Sequence, residues 1–496
     1  MGFQLGTIDT SILIAYGLIL VGMGIYFFRK TKTSEQFMVA GRGIPAWAAG
    51  LAVMSAYTSS ISYIAVPGKA FDSNWHPLIF ALSAIPVAWF VTKYVVPYYR
   101  KKNIISVYGY LEEKIGNWAS IYASLSFVLF MIGRTAVILY LSSLLLSSFI
   151  AVDIRMLIIV IGIITIIYTL MGGMEAVIWT DVMQSVIMVG GIIFIGILLT
   201  KEVFSQPEYL IQKAFDANKF SLGETDLSLS SRTIWVMIIY GVSENIRNLI
   251  ADQNYTQKYC SVPDEKKAKR SVWIAMLIYL PLTALFLYIG TTLFAFYSAP
   301  DHVLGEAITK GDQVFPHFIA TQVPVGIKGL IIAAILAASM STIDSALNCS
   351  ATVLYVDYYK KYFKPEATEG SSVGFLRLTT VIWGIAGIAV ALLLVNAQSA
   401  LDIWWIIAGI FGGGILGLFL LGVFNVKITR IQGIISVIFS ILIIIWGSFL
   451  RDLPDQFAWI ESKIDPIIIG AASTAGLLLL ALVFVVVNKL SDRKLT

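Results

Sequence analysis

Long apolar runs alternate with short polar stretches along the whole chain. A bilayer core about 30 Å thick asks for ~20 apolar residues per helix. About thirteen runs of that kind are present. They cover 9–28, 47–70, 75–98, 119–150, 153–171, 176–200, 231–255, 269–297, 325–358, 374–396, 401–424, 430–449 and 463–488. Each is expected to be a helix, because hydrocarbon leaves an open strand edge unsatisfied. The basic cluster of the first run follows it rather than precedes it, and no small-residue cleavage site comes after. That run reads as a retained span, not a cleaved signal peptide.

The loops between the runs differ in charge. One set carries Arg29, Lys30, Lys32 and Arg42, then Arg100, Lys101 and Lys102, then Lys258, Lys266, Lys267, Lys269 and Arg270. It continues with Lys360, Lys361, Lys364, Lys427, Arg430, Lys489, Arg493 and Lys494. The alternate loops hold more acids, among them Asp216, Glu224, Asp226, Asp301, Asp312, Asp452, Asp455 and Glu461. The positive-inside bias then places the N-terminus outside and the C-terminus in the cytoplasm. The longer outer segments 201–230 and 298–324 contain Pro and Gly and are expected to carry short capping helices. No separate soluble domain is visible, so the 496 residues read as one transmembrane domain.

Composition agrees. The chain is 58% hydrophobic and 13% charged, against about 25% charged in a soluble domain. No basic face suggests a nucleic acid. Cys260, in an expected cytoplasmic loop, and Cys349, within a span, are not expected to pair. His76, His302 and His317 fall in outer loops, with no metal-ligand spacing. No His, Cys or paired-carboxylate motif points to an enzyme, and no obligate protein partner is evident.

Function is sought in the polar residues inside the spans, where they are costly. In the second span Ser55, Thr58, Ser59 and Ser62 recur at i, i+3, i+4 and i+7 and share one helical face. Pro67 and Gly68 follow and favour a break, which would free carbonyls for a cation. A small-residue packing face is the competing reading. In the ninth span Ala338, Ser341, Thr342 and Ser345 share a face, and Asp344 adds a carboxylate. Hydroxyls and carbonyls suit a hard cation. Asp344 could equally pair with a base or be satisfied by neighbouring hydroxyls. Arg134 lies mid-span in the fourth helix, where its fork could hold a substrate carboxylate, Asp181 or Asp344. Asp181 could sit near the cytoplasmic interface as a helix-start acid. The seventh span ends in Ser243-Glu244-Asn245-Ile246-Arg247-Asn248 and Asp252 to Lys258, which suggests a second broken helix.

Three stretches together resemble the sodium/solute symporter family: Gly172 to Gln184 (GGMEAVIWTDVMQ), Ala333 to Asn348 (AAILAASMSTIDSALN) and Asp252 to Lys258 (DQNYTQK). That family includes sodium/galactose, sodium/proline and sodium/sialic acid carriers. The resemblance implies an all-α, LeuT-like fold with two inverted five-helix repeats. Here they would be 47–200 and 231–424, with broken second and seventh spans, an extra helix at 9–28 and two more helices at 430–488. It implies a sodium site from Ser55, Thr58, Ala338, Ser341 and Thr342. A second cation site would involve Asp181, Asp344 and Ser345. Asp344 stands where the sialic acid carriers have Ser.

Tyr57 and Ser62 stand where sugar carriers place Gln or Asn, so the chain looks closer to the bacterial sodium/sialic acid carriers. There an Arg matching Arg134 and hydroxyls matching Ser59 and Ser62 hold the carboxylate. A polar Gln of those carriers is missing near Ala81. The expected substrate-binding set is Tyr57, Ser59, Ser62, Arg134 and Asn245. The expected activity is sodium-coupled import of a small, anionic solute, with sialic acid or another carboxylated sugar leading, across a bacterial plasma membrane. Alternatives are a sodium/sugar or sodium/monocarboxylate symporter, a proton-coupled carrier using Asp344, and a non-transporting sensor.

Overall fold

A computed structural model describes residues 5–147, 149–150, 152–205, 209–302, 304–305, 308–395, 414–451 and 453–494. Among them every regular element is a helix. Nine described helices are long and apolar enough to cross a membrane. The first half comprises α1 (Thr7–Lys30), α2 (Ser34–Val39), α3 (Ala46–Tyr57), α4 (Ser60–Asp72), α5 (Leu78–Phe90), α6 (Val96–Lys101), α7 (Tyr108–Lys114), α8 (Asn117–Ser147) and α9 (Ile154–Ser205). The second comprises α10 (Tyr209–Asp216), α11 (Ile234–Ile246), α12 (Gln253–Cys260), α13 (Glu265–Tyr297), α14 (Gly311–Gln322), α15 (Ile327–Leu354) and α16 (Glu369–Leu394). After it come α17 (Ile415–Val423), α18 (Arg430–Phe449) and α19 (Ile469–Lys494). Residues 401–413 of the expected 401–424 span lie outside the described residues.

Local chemistry sets most helix ends. Asp264 accepts from the Lys267 N–H at the start of α13, and Thr233 from Val236 at the start of α11. Thr429 and Gln432 form a reciprocal cap on α18. The 52 residues of α9 would measure about 78 Å if straight, more than twice a bilayer core. Gly173 divides them with φ +59° and ψ −153°, a conformation essentially reserved for glycine. A Cβ there would lie 2.8 Å from the backbone of Phe37. The division falls between the apolar runs 153–171 and 176–200.

Two spans are broken. Between α3 and α4, Thr58 (φ −115°, ψ 106°) and Ser59 (φ −109°, ψ 178°) are extended. The break therefore precedes Pro67, which lies within α4 rather than marking its interruption. In the second case, α11 runs into a π-helical turn at Arg247–Ala251 and then into Asp252, which is extended and caps α12. Two segments read as loops are helical. Thr33 and Gln36 cap α2, which with the following turn meets α3 at 109°, and α7 follows α6. The outer segments hold α10 and α14, as expected.

Helix α15 is the axis of the bundle. Every residue from Ile331 to Val353 is buried, the pattern of a helix enclosed on all sides. It packs on α9, α8, α1 and α16. The periphery is apolar and outward-facing, as at Leu18 and Leu393, which are 67% and 77% exposed. That surface suits lipid and not water.

The start of α15 is capped from another helix. Asp9 on α1 is fully buried, and its Oδ1 accepts the Gly326 and Gly329 N–H groups, each at 2.7 Å. Gly329 permits the approach: a Cβ there would lie 2.6 Å from the Asp9 Cα. A carboxylate at a helix start also complements the dipole. Asp9→Ala should destabilise the protein by about 1–2 kcal/mol, lowering the unfolding temperature in detergent; an unchanged melting curve would show that this cap contributes nothing to stability.

Candidate ion and substrate site

The break after Tyr57 leaves the last carbonyls of α3 without helical partners. The Thr58 N–H donates to Ser55 O at 3.0 Å, and Thr58 Oγ1 to Met54 O at 3.3 Å. The Ala56 carbonyl accepts from Arg134 Nη2 at 3.3 Å and from Tyr255 Oη at 3.1 Å. Higher on α3, the Ala52 carbonyl accepts from Lys258 Nζ at 3.1 Å.

Helix α15 meets this end of α3 with its hydroxyl face. Ser55 Oγ donates to Ser341 Oγ at 2.9 Å. Ser341 Oγ and Thr342 Oγ1 donate to the Ala338 carbonyl at 3.2 and 3.1 Å. Ser55, Thr58, Ala338, Ser341 and Thr342 are all buried. The fold thus gathers the α3 end and the α15 face that the sequence singled out. Their donors are neutral oxygens, the chemistry of a hard cation held weakly enough to be released.

A second cluster lies deeper along α9 and α15. Asp344 accepts from Tyr168 Oη at 2.9 Å, Thr180 Oγ1 at 3.3 Å and Ser345 Oγ at 3.2 Å. Asp181 is fully buried two turns past Gly173, and Lys258 Nζ stands 2.9 Å from its Oδ2. Lys258 is fully buried too, so it is not the cytoplasmic loop charge expected from its position. Cys260, two residues on, is likewise buried at the end of α12. Two carboxylates face a single ammonium here, and Asp181 Oδ1 has no hydrogen-bond partner among the described residues. The cluster has oxygen to spare for a cation or a proton.

Of the expected substrate residues, four surround the break. The Tyr57 ring packs on Tyr255 and Tyr279, with centroids 4.7 and 5.0 Å apart. Ser59 and Ser62 do not continue the Ser55–Thr58 face, because the break moves them to the start of α4. There Ser62 Oγ accepts the Ser59 N–H at 3.3 Å, and both residues are half-exposed. Arg134 is also half-exposed. It pairs with neither Asp181 nor Asp344, and among the described residues it forms no salt bridge.

The acids nearer to it are held by Arg247. That guanidinium donates through Nε to Glu244 Oε2 at 2.9 Å, lies 3.4 Å from Asp252 Oδ2 through Nη1, and sits over the Phe130 ring. Asp252 also feels the charge of Arg134, so two guanidinium groups and two carboxylates share this side of the break. Asn245 lies on α11. It is fully buried, and its Nδ2 is spent on Phe80 O, Ser83 Oγ and Gly241 O at 3.0, 3.1 and 2.8 Å. These bonds pin α11 to α5, and Asn245 Oδ1 is left without a hydrogen-bond partner among the described residues.

Sequence reasoning missed Lys258 as a site residue because it ends a polar stretch that reads as loop. Its partner Asp181 was the available signal, since a membrane-buried acid needs a base. Lys258→Ala should cost about 3–5 kcal/mol by leaving Asp181 unpaired. The expected readout is a sharp loss of folded protein in size-exclusion profiles, largely recovered when Asp181→Asn is added. A single variant that behaves as wild type would show that the pair does not hold α12 in place.

Comparison with known proteins agrees with this geometry. A family model described as the sodium:solute symporter family matches residues 37–487. The chain is 34% identical over 475 residues to the sodium/sialic acid symporter NanT of Aliivibrio fischeri, covering 94% of this chain and 92% of the relative. It is 33% identical over 469 residues to the sodium/sialic acid symporter SiaT of Proteus mirabilis, covering 94% of each. Among solved structures, a Na+-coupled sialic acid symporter in a substrate-bound outward-open state superimposes with a TM-score of 0.87 at 31% identity, covering 96% of this chain and 97% of that one.

Proposed function

We propose that this chain, which belongs to the sodium:solute symporter family, imports sialic acid or a closely related carboxylated sugar. It is a multi-pass membrane protein that couples movement of a small solute to that of Na+. The observation that carries the substrate reading is Arg134. It is half-exposed beside the α3 break, its anchoring bond goes to the Ala56 carbonyl, and the neighbouring acids belong to Arg247. A solute carboxylate would pair with the Arg134 fork, which forms no salt bridge among the described residues, with Ser59 and Ser62 beside it. The relatives named above are sialic acid carriers, which supports the same choice.

In this reading Na+ binds the carbonyls of Ser55, Thr58 and Ala338 and the hydroxyls of Ser341 and Thr342. A second cation binds at Asp181, Asp344 and Ser345. Filling the first site ties α3 to α15 and sets up the solute site on the other side of the break. The half-exposed face of α4 against the wholly buried α12 supports an outward-open state. Transport then proceeds by alternating access, with no covalent chemistry on the solute.

The architecture is read as thirteen spans. Gly173 divides α9 into two, α3 with α4 and α11 with α12 are broken single spans, and the expected 401–424 span is described only from Gly414 onward. Residues 47–200 and 231–424 form the inverted repeats, within one domain of 1–496. The N-terminus lies outside and the C-terminus inside a bacterial cell membrane, with lipid the only obligate surroundings.

The test is uptake of N-acetylneuraminate into proteoliposomes under a Na+ gradient. Thr342→Ala removes one ligand and should raise the half-activating Na+ concentration roughly tenfold; unchanged activation would reject the site. Arg134→Ala should weaken binding of the carboxylate about 10- to 100-fold and spare a neutral sugar; equal binding would reject the anion role. Uptake that ignores Na+ and follows a pH gradient would instead favour Asp344 as a proton carrier.

A further inference from the structure

The π-helical turn at Arg247–Ala251 borders a groove that the solute path does not use. Its volume is about 330 Å³. Phe90, Tyr94, Tyr98, Tyr99 and Tyr110 form its apolar body, and Lys114 stands in its lining. Ile250 closes one side and Val423 and Phe424 the other. Two of its walls are π-helical, Val91–Val95 and Arg247–Ala251. Such turns leave carbonyls without their usual partners. Here tyrosines take them: Tyr99 Oη donates to Ile250 O at 2.8 Å, Tyr108 to Ala251 O at 3.2 Å, and Tyr259 to Leu249 O at 2.9 Å. The Tyr99 ring therefore belongs both to the groove and to the hinge of the broken α11–α12 span.

The charges around the mouth point to the occupant. Lys114 is exposed and bonds the neutral Asn425 Oδ1 at 3.2 Å. Its neighbour Glu113 is bridged by Lys102 at 3.0 Å. Arg100 and Lys101 continue the basic end of α6. Lys93 lies over the exposed rings of Trp89 and Tyr94, 4.8 and 5.2 Å from their centroids, the arrangement of a lysine reaching along aromatics to a membrane interface. The groove is aromatic in its lining, with Lys114 as its charged member.

We propose that this groove binds one anionic phospholipid, with an acyl chain against Phe90, Tyr98, Tyr99 and Tyr110 and the phosphate on Lys114. Its occupant buttresses Tyr99 and hence the Ile250 carbonyl at the hinge. The test is native mass spectrometry of the full chain released from nanodiscs of equal phosphatidylcholine and phosphatidylglycerol. Wild type should retain one phosphatidylglycerol per chain. Lys114→Glu, at an exposed position, should lower that retention about fivefold or more, the worth of one lysine near an anionic headgroup. Val423→Trp, which fills the groove, should lower retention of any lipid. Both variants should keep thermal stabilisation by Na+. Equal retention in both variants, phosphatidylcholine held as well as phosphatidylglycerol, or a second protomer in place of lipid would each overturn the proposal.

Discussion

A helix that stops inside a membrane must find partners for its last carbonyls, because each bare polar group in hydrocarbon costs several kcal/mol. The end of α3 meets that demand with side chains from two other helices and from the break. Arg134 comes from α8, Tyr255 and Lys258 from α12, and Thr58 from the break itself. The break is therefore a joint specified by its neighbours. Removing the polar side chains would make a continuous helix the cheaper state. The joint also places the candidate ion ligands and the candidate solute residues on one short segment.

The second broken span solves the same problem in a different way. Asp252 caps α12 by accepting the Asn254 N–H at 2.9 Å. The helix then spends its glutamines on the backbone and side chains around it. Gln253 Oε1 accepts the Val107 N–H at 3.0 Å, and Gln257 Nε2 donates to Asn348 Oδ1 and Thr352 Oγ1, each at 2.9 Å. Lys258 closes the circuit by reaching α3 and Asp181 on α9. Helix α12 thus ties α3, α9 and α15 together, the elements that also hold the candidate ion ligands. Any change in how α3 meets α15 is felt at α12. Thermodynamic linkage then makes the influence of ion on solute equal to that of solute on ion.

The periodicity of apolar residues was enough to locate nearly every long helix, since lipid permits little else. It was not enough to locate the first break. Pro67 drew attention downstream, yet a proline inside α4 is tolerated, while Thr58 and Ser59 are extended because their neighbours supply the bonds. Those neighbours are distant in sequence and invisible to local pattern. The same holds for the Asn245 Nδ2, whose partners on α5 lie far from it in sequence. Ser55, Ser341 and Thr342 were legible because a stripe of hydroxyls on buried helices is costly unless something polar faces it. Lys258 was not, because a lysine that ends a polar stretch reads as solvated until its carboxylate partner is placed beside it.

The two candidate cation clusters differ in one physical respect, their charge. The cage between Ser55 and Ala338, Ser341 and Thr342 is neutral, so the ion brings the only charge and desolvation opposes tight binding. The cluster at Asp181 and Asp344 carries two acids against Lys258, and all three side chains are buried. An uncompensated carboxylate in such surroundings is costly enough that a cation or a proton must accompany it. Asp344 therefore makes the deeper cluster a stronger binder than hydroxyls alone would. Under the proposed function, the neutral cage would suit an ion that must leave on every cycle, and the charged cluster one held between α9 and α15.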